Sequence, residues 1–186
     1  IDAGFDAGGV DAGFDAGGFD AGGVDARFDA GIIDAGSTWV RLAAGDLHAC
    51  GMRGDGSVWC WGLAASGQTG VDAGAVTMDA TPRPMAGLVA VTHLAAGGNT
   101  TCARSTTGSV WCWGENLYGQ LGDGTVLPSW TPKQVQGLSD ALDVTVGYGF
   151  ACSRRAAGPV VCWGQNNQGE LGAGSTAARS ATPLTV

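Results

Sequence analysis

Short stretches of alternating apolar and polar residues make up the chain from residue 38 onward. They are rich in Val, Thr and Trp, and Gly or Pro bounds each of them, as in the run Gly108-Ser-Val-Trp-Cys-Trp-Gly114. This pattern is typical of β-strands in an all-β fold. No helical period of useful length interrupts it, so the sequence predicts strands joined by tight turns.

The same pattern occurs three times. Residues 56–62 read GSVWCWG, residues 108–114 repeat this run, and residues 158–164 read GPVVCWG. The first cysteines of the copies, Cys50, Cys102 and Cys152, are 52 and 50 residues apart. Such a period, with about four strands per copy, is typical of β-propeller blades. We therefore expect a partial β-propeller, an open arc of three four-stranded blades at residues 38–87, 88–137 and 138–186.

Each copy carries the same framework of glycine and tryptophan. We interpret these residues as structural parts of the repeat: Gly45, Gly97 and Gly147 before the first cysteine, and the pairs Trp61-Gly62, Trp113-Gly114 and Trp163-Gly164 after the second. A loop motif follows as GQTG at 67–70, GQLG at 119–122 and GELG at 169–172, and each copy closes with Thr-Pro. We expect the tryptophans to fill the space between neighbouring sheets. A carbohydrate-binding platform is the alternative.

The two cysteines of each copy are ten residues apart. A hairpin that places Met52 opposite Val58, with the loop Gly54-Asp55-Gly56, brings them face to face, and its third loop position favours glycine. Directly opposed residues lie within the range that a disulfide tolerates. The predicted bridges are Cys50–Cys60, Cys102–Cys112 and Cys152–Cys162. Free buried thiols remain an alternative, as does structural zinc, although the spacing is not that of zinc ligands and the chain has only two histidines.

Residues 1–37 differ in composition from the rest. They carry eight of the 17 acidic residues and one of the nine basic residues, in variations on Asp-Ala-Gly. We expect a disordered acidic linker, because repelling carboxylates and glycine make ordering costly. Its pattern resembles the spacers that follow the lipidated cysteine of some bacterial surface lipoproteins. A near nine-residue aspartate period leaves calcium binding as an alternative.

The remaining residues carry nine acidic and eight basic side chains, since 17 less eight is nine and nine less one is eight. A nucleic-acid surface would require clustered Lys and Arg, so no nucleic-acid partner is expected. The sequence contains no run of 18 apolar residues, so it predicts no transmembrane segment.

Several spaced motifs together carry a family resemblance. They are Ala44-Gly-x-x-His-x-Cys50, Asp55-Gly-Ser-Val-Trp-Cys-Trp-Gly62, Asn116-x-x-Gly-Gln-Leu-Gly122 and Thr131-Pro-x-x-Val135. Across residues 38–186 the chain resembles the regulator of chromosome condensation repeat. The resemblance implies blades of a propeller that has seven in its closed form, so three copies belong to a longer chain or to an arc that another chain completes. We expect unpaired strand edges at both ends, through which association can occur.

The family includes a nucleotide-exchange factor for a small GTPase and secreted bacterial proteins that bind other proteins. We expect an extracytoplasmic, non-catalytic binding or scaffold module without a cofactor, a secreted or cell-surface lipoprotein of a bacterium. Its loops at 64–78 and 118–129 would contact a protein or glycan. An exchange-factor-like regulator and a propeller-borne lyase or hydrolase are the alternatives.

The candidate catalytic side chains do not recur as a set. Asp46, Asp55, Asp123 and Glu170 fall in turns or framework loops, and no nucleophile, base and orienting group accompany them in each copy. His48 is matched by Thr100 and Phe150 in the other copies, so we interpret it as a blade residue.

Overall fold

The described residues form three antiparallel sheets of four strands. A computed structural model describes residues 38–70 and 77–186; the predicted linker, its calcium alternative and residues 71–76 lie outside this part. Sheet 1 consists of β1 (Trp39–Ala44), β2 (His48–Arg53), β3 (Val58–Leu63) and β4 (Met78–Pro84). Sheet 2 consists of β5 (Val91–Gly97), β6 (Thr100–Ser105), β7 (Val110–Gly114) and β8 (Ser129–Gln134). Sheet 3 consists of β9 (Thr145–Val146), β10 (Phe150–Arg154), β11 (Val160–Gln165) and β12 (Arg179–Thr185).

Each sheet is a meander in which sequential strands are neighbours, in the orders β1-β2-β3-β4, β5-β6-β7-β8 and β9-β10-β11-β12. Every sheet lies within one of the three predicted repeats. The expected all-β fold with four-stranded units is confirmed.

The central hairpins have the predicted register. Met52 pairs with Val58, and Cys50 lies directly opposite Cys60. Disulfides join the cysteines of all three hairpins, with Cα atoms 4.1 Å apart in each: Cys50–Cys60, Cys102–Cys112 and Cys152–Cys162. The third loop residue has a positive φ in every copy, 81° at Gly56 and Gly108 and 110° at Gly158, as the hairpin type requires.

The fourth strand of each sheet contains the Thr-Pro dipeptide of its repeat. Proline lacks the amide hydrogen that a central strand donates to its neighbour, so it is confined to edge strands. Pro82, Pro132 and Pro183 lie in β4, β8 and β12, each of which is the last strand of its sheet and pairs with one strand of that sheet. The closing motif of the repeat therefore marks the outside of the arc.

The first strands lie together on the inside of the arc, where β1 contacts β5 and β5 contacts β9. Their sequences end in Ala-Ala-Gly or Thr-Val-Gly, since little room remains there. A Cβ atom built on Gly45 would lie 2.6 Å from the carbonyl oxygen of Gly98, and one on Gly97 would lie 2.5 Å from that of Gly147. These two glycines allow the backbones of neighbouring blades to approach closely.

The two faces of each sheet differ. One face carries the disulfide, and we call it the disulfide face; the other carries the tryptophans of the third strand, and we call it the tryptophan face. The disulfide face of sheet 1 packs on the tryptophan face of sheet 2, in a core that includes Cys50, Val58, Leu94 and Trp113. The disulfide face of sheet 2 packs on the tryptophan face of sheet 3 in the same way.

The end sheets have edge strands that pair on one side within the sheet, and so does the middle sheet, since β4, β8 and β12 are each the last strand of an open sheet. What the ends of the described arc uncover are whole sheet faces, because each interface requires a neighbouring sheet.

Candidate functional site

Strand direction divides the connections between two ends of the blades. The β1–β2, β5–β6 and β9–β10 turns lie at the same end as the long loops that lead to β4, β8 and β12. We call this end the loop face. The tight β2–β3, β6–β7 and β10–β11 hairpins lie at the opposite end, the turn face. The two loops predicted to bind a partner, 64–78 and 118–129, belong to the loop face, although residues 71–76 lie outside the described part.

The glycine-glutamine motif ties each long loop to the next blade. The indole N–H of Trp113 donates to the backbone carbonyl of Gln68 at 3.0 Å, and that of Trp163 donates to the carbonyl of Gln120 at 2.9 Å. Both indoles are fully buried. The framework tryptophans at 113 and 163 therefore pack between sheets, and they also hold a loop of the preceding blade. Trp61, at the equivalent position of sheet 1, is half-buried and packs edge-on to Trp39.

The glycine after each framework tryptophan marks an irregularity in the strand. Gly62, Gly114 and Gly164 share a φ of 105°, which disfavours any other residue. The pairing with the fourth strand shifts at each of them. Pairing resumes beyond the shift, for example between Leu63 and Met78, before the chain enters the long loop.

An asparagine organises the loop in two of the three blades. The Asn116 side chain accepts from the amide of Leu121 at 2.9 Å and donates to the carbonyl of Leu127 at 2.9 Å. Asn166 makes the equivalent bonds to Leu171 and Ala177. Ala64 occupies this position in sheet 1. Asn116 is part of a sequence motif to which no role was assigned. The available signal was that an asparagine lies five residues before a leucine in two of the three copies.

Large apolar side chains are exposed on the loop face. Leu47 lies in the β1–β2 turn, Leu117 in the β7–β8 loop and Tyr148 in the β9–β10 turn, and the side chain of each is mostly accessible to solvent. We call these three residues the apolar row. An open depression of about 430 Å³ lies at the end of the β7–β8 loop and along β8, lined by Asp123, Thr125, Leu127, Pro128, Ser129, Trp130, Thr131 and Lys133. Apolar groups in this setting are suited to contact with another molecule.

The acidic candidates have structural bonds in their own loops. Asp55 accepts from the amide of Ser57 at 2.8 Å, and hydrogen bonding to the Ser57 hydroxyl, followed by this bond to its amide, lowers the pKa of the carboxyl. Asp123 accepts from the amide and hydroxyl of Thr125, and Glu170 from the amide of Gln168. The backbone amide of Asp46 donates to the carbonyl of Gly98 in the next blade.

His48 lies between sheets 1 and 2. Its Nε2 is 2.7 Å from the hydroxyl of Thr101. Burial lowers the pKa of the imidazole to about 4, against the opposing influence of the Asp46 carboxylate. His48 is buried, which agrees with its interpretation as a blade residue, and it is neutral at physiological pH.

The described residues offer neither a cluster of metal-ligating side chains nor a membrane-spanning helix. Within 38–70 and 77–186, no group of three or more His, Cys, Asp or Glu side chains is arranged to hold a metal ion. In the same ranges, no helix is long and apolar enough to cross a bilayer.

The three sheets stack with the disulfide face of one on the tryptophan face of the next, and their first strands lie together on the inside of the arc. This arrangement defines the protein as a segment of a β-propeller. Residues 55–104 and 107–153 match the family described as the Regulator of chromosome condensation (RCC1) repeat. A second description of the same repeat matches residues 39–68 and 91–120. The chain belongs to the RCC1 repeat family. The matched unit at 55–104 begins in the β2–β3 hairpin and ends in β6, so it joins two strands of one sheet to two of the next.

Solved structures show the same fold. Yeast RCC1 (Prp20), in its complex with Kap60, is 19% identical with a TM-score of 0.73, over 80% of this chain and 37% of the other. Prp20p from Saccharomyces cerevisiae, described with its binding to Gsp1p and histones, is also 19% identical with a TM-score of 0.73, over 80% and 38%. Human WBSCR16 is 27% identical with a TM-score of 0.72, over 83% and 39%. The chain thus spans less than two fifths of the length of these relatives.

Proposed function

We propose that this chain is an extracytoplasmic, non-catalytic binding module that contacts a protein partner through its loop face. The observation that carries the proposal is the apolar row, in which Leu47, Leu117 and Tyr148 expose apolar surface on three successive blades. The turns and loops that hold these residues are tied to neighbouring blades and to their own strands, so the row is presented on a rigid frame. Rigid presentation favours affinity because less freedom is lost on binding.

A protein partner fits this surface better than other ligands do. The row is apolar and spread over three blades, as the centre of a protein interface is. The yeast RCC1 relative was solved with Kap60 bound, and Prp20p is described with Gsp1p and histones as binding partners. Those partners belong to the relatives; they support the general mode of action, which is recognition of another protein.

A glycan is the second candidate ligand, and Trp130 favours it. Its ring lines the open depression among polar side chains of Thr125, Ser129 and Lys133, and its indole N–H is buried without a hydrogen-bond partner. An aromatic ring beside hydroxyl groups is suited to stacking with a sugar. This candidate places binding at the depression along β8.

Three disulfides support a location outside the cytoplasm. They involve every cysteine of the chain, and they persist in oxidising compartments. A secreted or cell-surface lipoprotein of a bacterium is the location that we propose. The same chemistry disfavours the exchange-factor alternative, since a small GTPase of the cytoplasm would not meet this surface.

The structural roles of the acidic side chains support a non-catalytic function. Asp55, Asp123 and Glu170 bond to amides within their own turns. A general acid or base requires a carboxyl group or an imidazole that is free to exchange a proton with a substrate. A screen of the wild-type protein for lyase and hydrolase activity on polysaccharides and peptides tests this point, and turnover in any assay would contradict it.

The binding proposal is tested with two matched variants. The first carries Leu47→Ser, Leu117→Ser and Tyr148→Ser on the loop face; the second carries Val89→Ser and Leu142→Ser, which are exposed at the turn face. Surface proteins captured by the wild-type chain are measured for affinity against both. We expect the loop-face variant to lose at least about tenfold in affinity, because buried apolar anchors dominate interfaces, and the turn-face variant to bind normally.

Three results separate the alternatives. Equal binding by both variants would refute the loop face as the binding surface. Capture of a glycan that is lost with Trp130→Ala would favour the second candidate. A non-reducing peptide digest of the protein from its native compartment should show three linked peptide pairs, and six free thiols would contradict the proposed location.

A further inference from the structure

Basic side chains gather at one place on the turn face. Arg41 and His93 are the third residues of β1 and β5, and each lies nine residues before the first cysteine of its repeat. These two strands are neighbours on the inside of the arc. Arg104 of β6 pairs with His93. We call Arg41, His93 and Arg104 the inner rim.

Described sheets surround the inner rim. Arg41 pairs with Met52, which belongs to the core between sheets 1 and 2, so its side chain lies on the side that sheet 2 covers. His93 hydrogen bonds to the backbone of Val144, and Arg104 bonds to that of Leu142, so both side chains face sheet 3.

Main-chain carbonyls hold the Arg104 guanidinium in place. Its Nη1 donates to the carbonyl of Leu142 at 2.5 Å, and its Nε donates to that of Ser105 at 3.4 Å. A guanidinium carries five N–H groups, so the others remain for a further acceptor. Arg41 is exposed and forms no ion pair within the described residues.

The carboxylate beside the inner rim is already engaged. Asp143 accepts from the amide of Arg154 at 3.1 Å, and its other oxygen lies 3.4 Å from the Arg154 guanidinium. Three arginines, at 41, 104 and 154, thus stand against one carboxylate, and three less one leaves two positive charges.

The half-buried imidazole of His93 responds to these charges. Burial lowers its pKa, and the Arg41 and Arg104 guanidinium groups lower it further. The Asp143 carboxylate and the bond to the Val144 backbone oppose them. Two guanidinium groups from different strands therefore create a positive potential at one imidazole.

We propose that the inner rim binds a phosphate group, held by the Arg41 and Arg104 guanidinium groups and the His93 imidazole. Guanidinium groups suit phosphate oxygens because their N–H groups form a planar fork. A dianion matches the two positive charges. It also stabilises the imidazolium, so His93 takes up a proton from solvent and its second ring nitrogen donates a third hydrogen bond.

This site is separate from the proposed protein-binding surface. The inner rim lies at the turn face and the apolar row lies at the loop face, so a partner on the loop face leaves the rim open. The donors converge on one phosphate, whereas a nucleic-acid backbone requires a series of such contacts. A lipid headgroup and a small soluble phosphate compound share the required chemistry.

NMR titration of the full chain tests the site directly, since the chain has only two histidines. His48 has a pKa of about 4, which separates its signal from that of His93. At constant ionic strength, inorganic phosphate should raise the pKa of His93, and acetate should leave it unchanged. No rise in phosphate, or an equal rise in acetate, would overturn the proposal.

Charge variants locate the binding. Arg41→Gln and Arg104→Gln should each weaken phosphate binding at least about tenfold, because a hydrogen bond between charged groups is lost. Arg179→Gln is the matched control, since Arg179 also bonds to a backbone carbonyl, that of Leu117, but at the loop face. The control should bind as the wild type does, and an equal loss there would assign binding to overall charge and contradict the site. Because Arg41 is exposed, Arg41→Gln should fold normally.

The pH dependence tests the role of His93. The ratio of wild-type to His93→Gln affinity for phosphate should increase as the pH falls, because binding favours the imidazolium. Titration of the phosphate itself is common to both proteins. A ratio that does not change with pH would remove His93 from the site.

Vesicles distinguish the two sources of phosphate. Binding to phosphatidic acid vesicles that inorganic phosphate reverses, and that Arg41→Gln weakens at least about tenfold, would assign a lipid headgroup, with phosphatidylcholine vesicles as the control. Binding of inorganic phosphate without binding to vesicles would assign a small soluble compound. Absence of both would overturn the proposal and leave the protein-binding role of the loop face untouched.

Discussion

Because the Trp113 indole donates a hydrogen bond to the carbonyl of Gln68, we expect Trp113→Phe to lower the free energy of unfolding substantially. The donor and acceptor lie 45 residues apart, in different blades, at 3.0 Å. Phenylalanine removes the indole N–H and leaves a buried carbonyl without its donor, which costs about 1–3 kcal/mol. The smaller ring also leaves a cavity on the order of 40 Å³, which adds roughly 1 kcal/mol at about 24 cal/mol per Å³. We therefore expect a loss of about 2–4 kcal/mol in the free energy of unfolding.

Urea unfolding at low protein concentration, followed by far-UV circular dichroism, measures this loss in the free energy of unfolding. With a slope of about 1–3 kcal/mol per molar urea, the midpoint should fall by roughly 1–2 M. Trp61→Phe is the matched control, since the same change at the half-buried position of sheet 1 should cost less than about 1 kcal/mol. Equal losses in the two variants, or no loss in Trp113→Phe, would refute the reasoning that the indole holds two blades together.

Three further predictions concern other contacts. Replacing Cys102 and Cys112 by Ala should lower the unfolding free energy by about 2–3 kcal/mol, as loop closure predicts; thermal unfolding that matches the wild type would contradict this. The folded pKa of His48 is about 4 and the unfolded value is 6.5, so stability should be full above pH 6.5 and fall towards pH 4, by about 2–3 kcal/mol, and this slope should be absent in His48→Gln. Asn116→Ala should raise hydrogen exchange in residues 116–128, whereas Asn167→Ala, which changes an exposed side chain, should leave exchange as it is.

The parts of the fold that are local in sequence could be predicted. Each central hairpin closes over ten residues, and its cysteines and loop glycine determine one register, so Cys50 opposite Cys60 followed from spacing alone. The repeat then extended the same prediction to the other two blades. The sequence also showed that each copy closes with Thr-Pro, and the structure places this dipeptide in the last strand of each sheet, where proline is tolerated.

The contacts between blades could not be predicted in the same way. His48 meets Thr101 across 53 residues, and spacing within one repeat carries no information about that distance. The roles of Asn116 and of the Gln68 carbonyl depend on the loop conformation, which glycine-rich motifs leave open. The sequence led us to expect exposed strand edges at the ends of the arc, and the structure exposes sheet faces there as well. The reason is the same, since the repeat defines the strands, but the direction in which the sheets stack is a tertiary property.

The unlike faces of each sheet explain how one chain can combine a constant frame with a variable surface. Because every described interface joins a disulfide face to a tryptophan face, each sheet must carry the same Cys, Trp and Gly framework on its two faces. The blades can therefore stack in one direction only. The turns of the loop face vary more, since Leu47, Asn99 and Gly149 occupy matched positions, although Asn99 accepts a hydrogen bond from the Gln68 side chain of the preceding blade. A substitution such as Leu47→Ser should accordingly weaken partner binding while leaving the free energy of unfolding within about 0.5 kcal/mol of the wild type, because Leu47 is exposed.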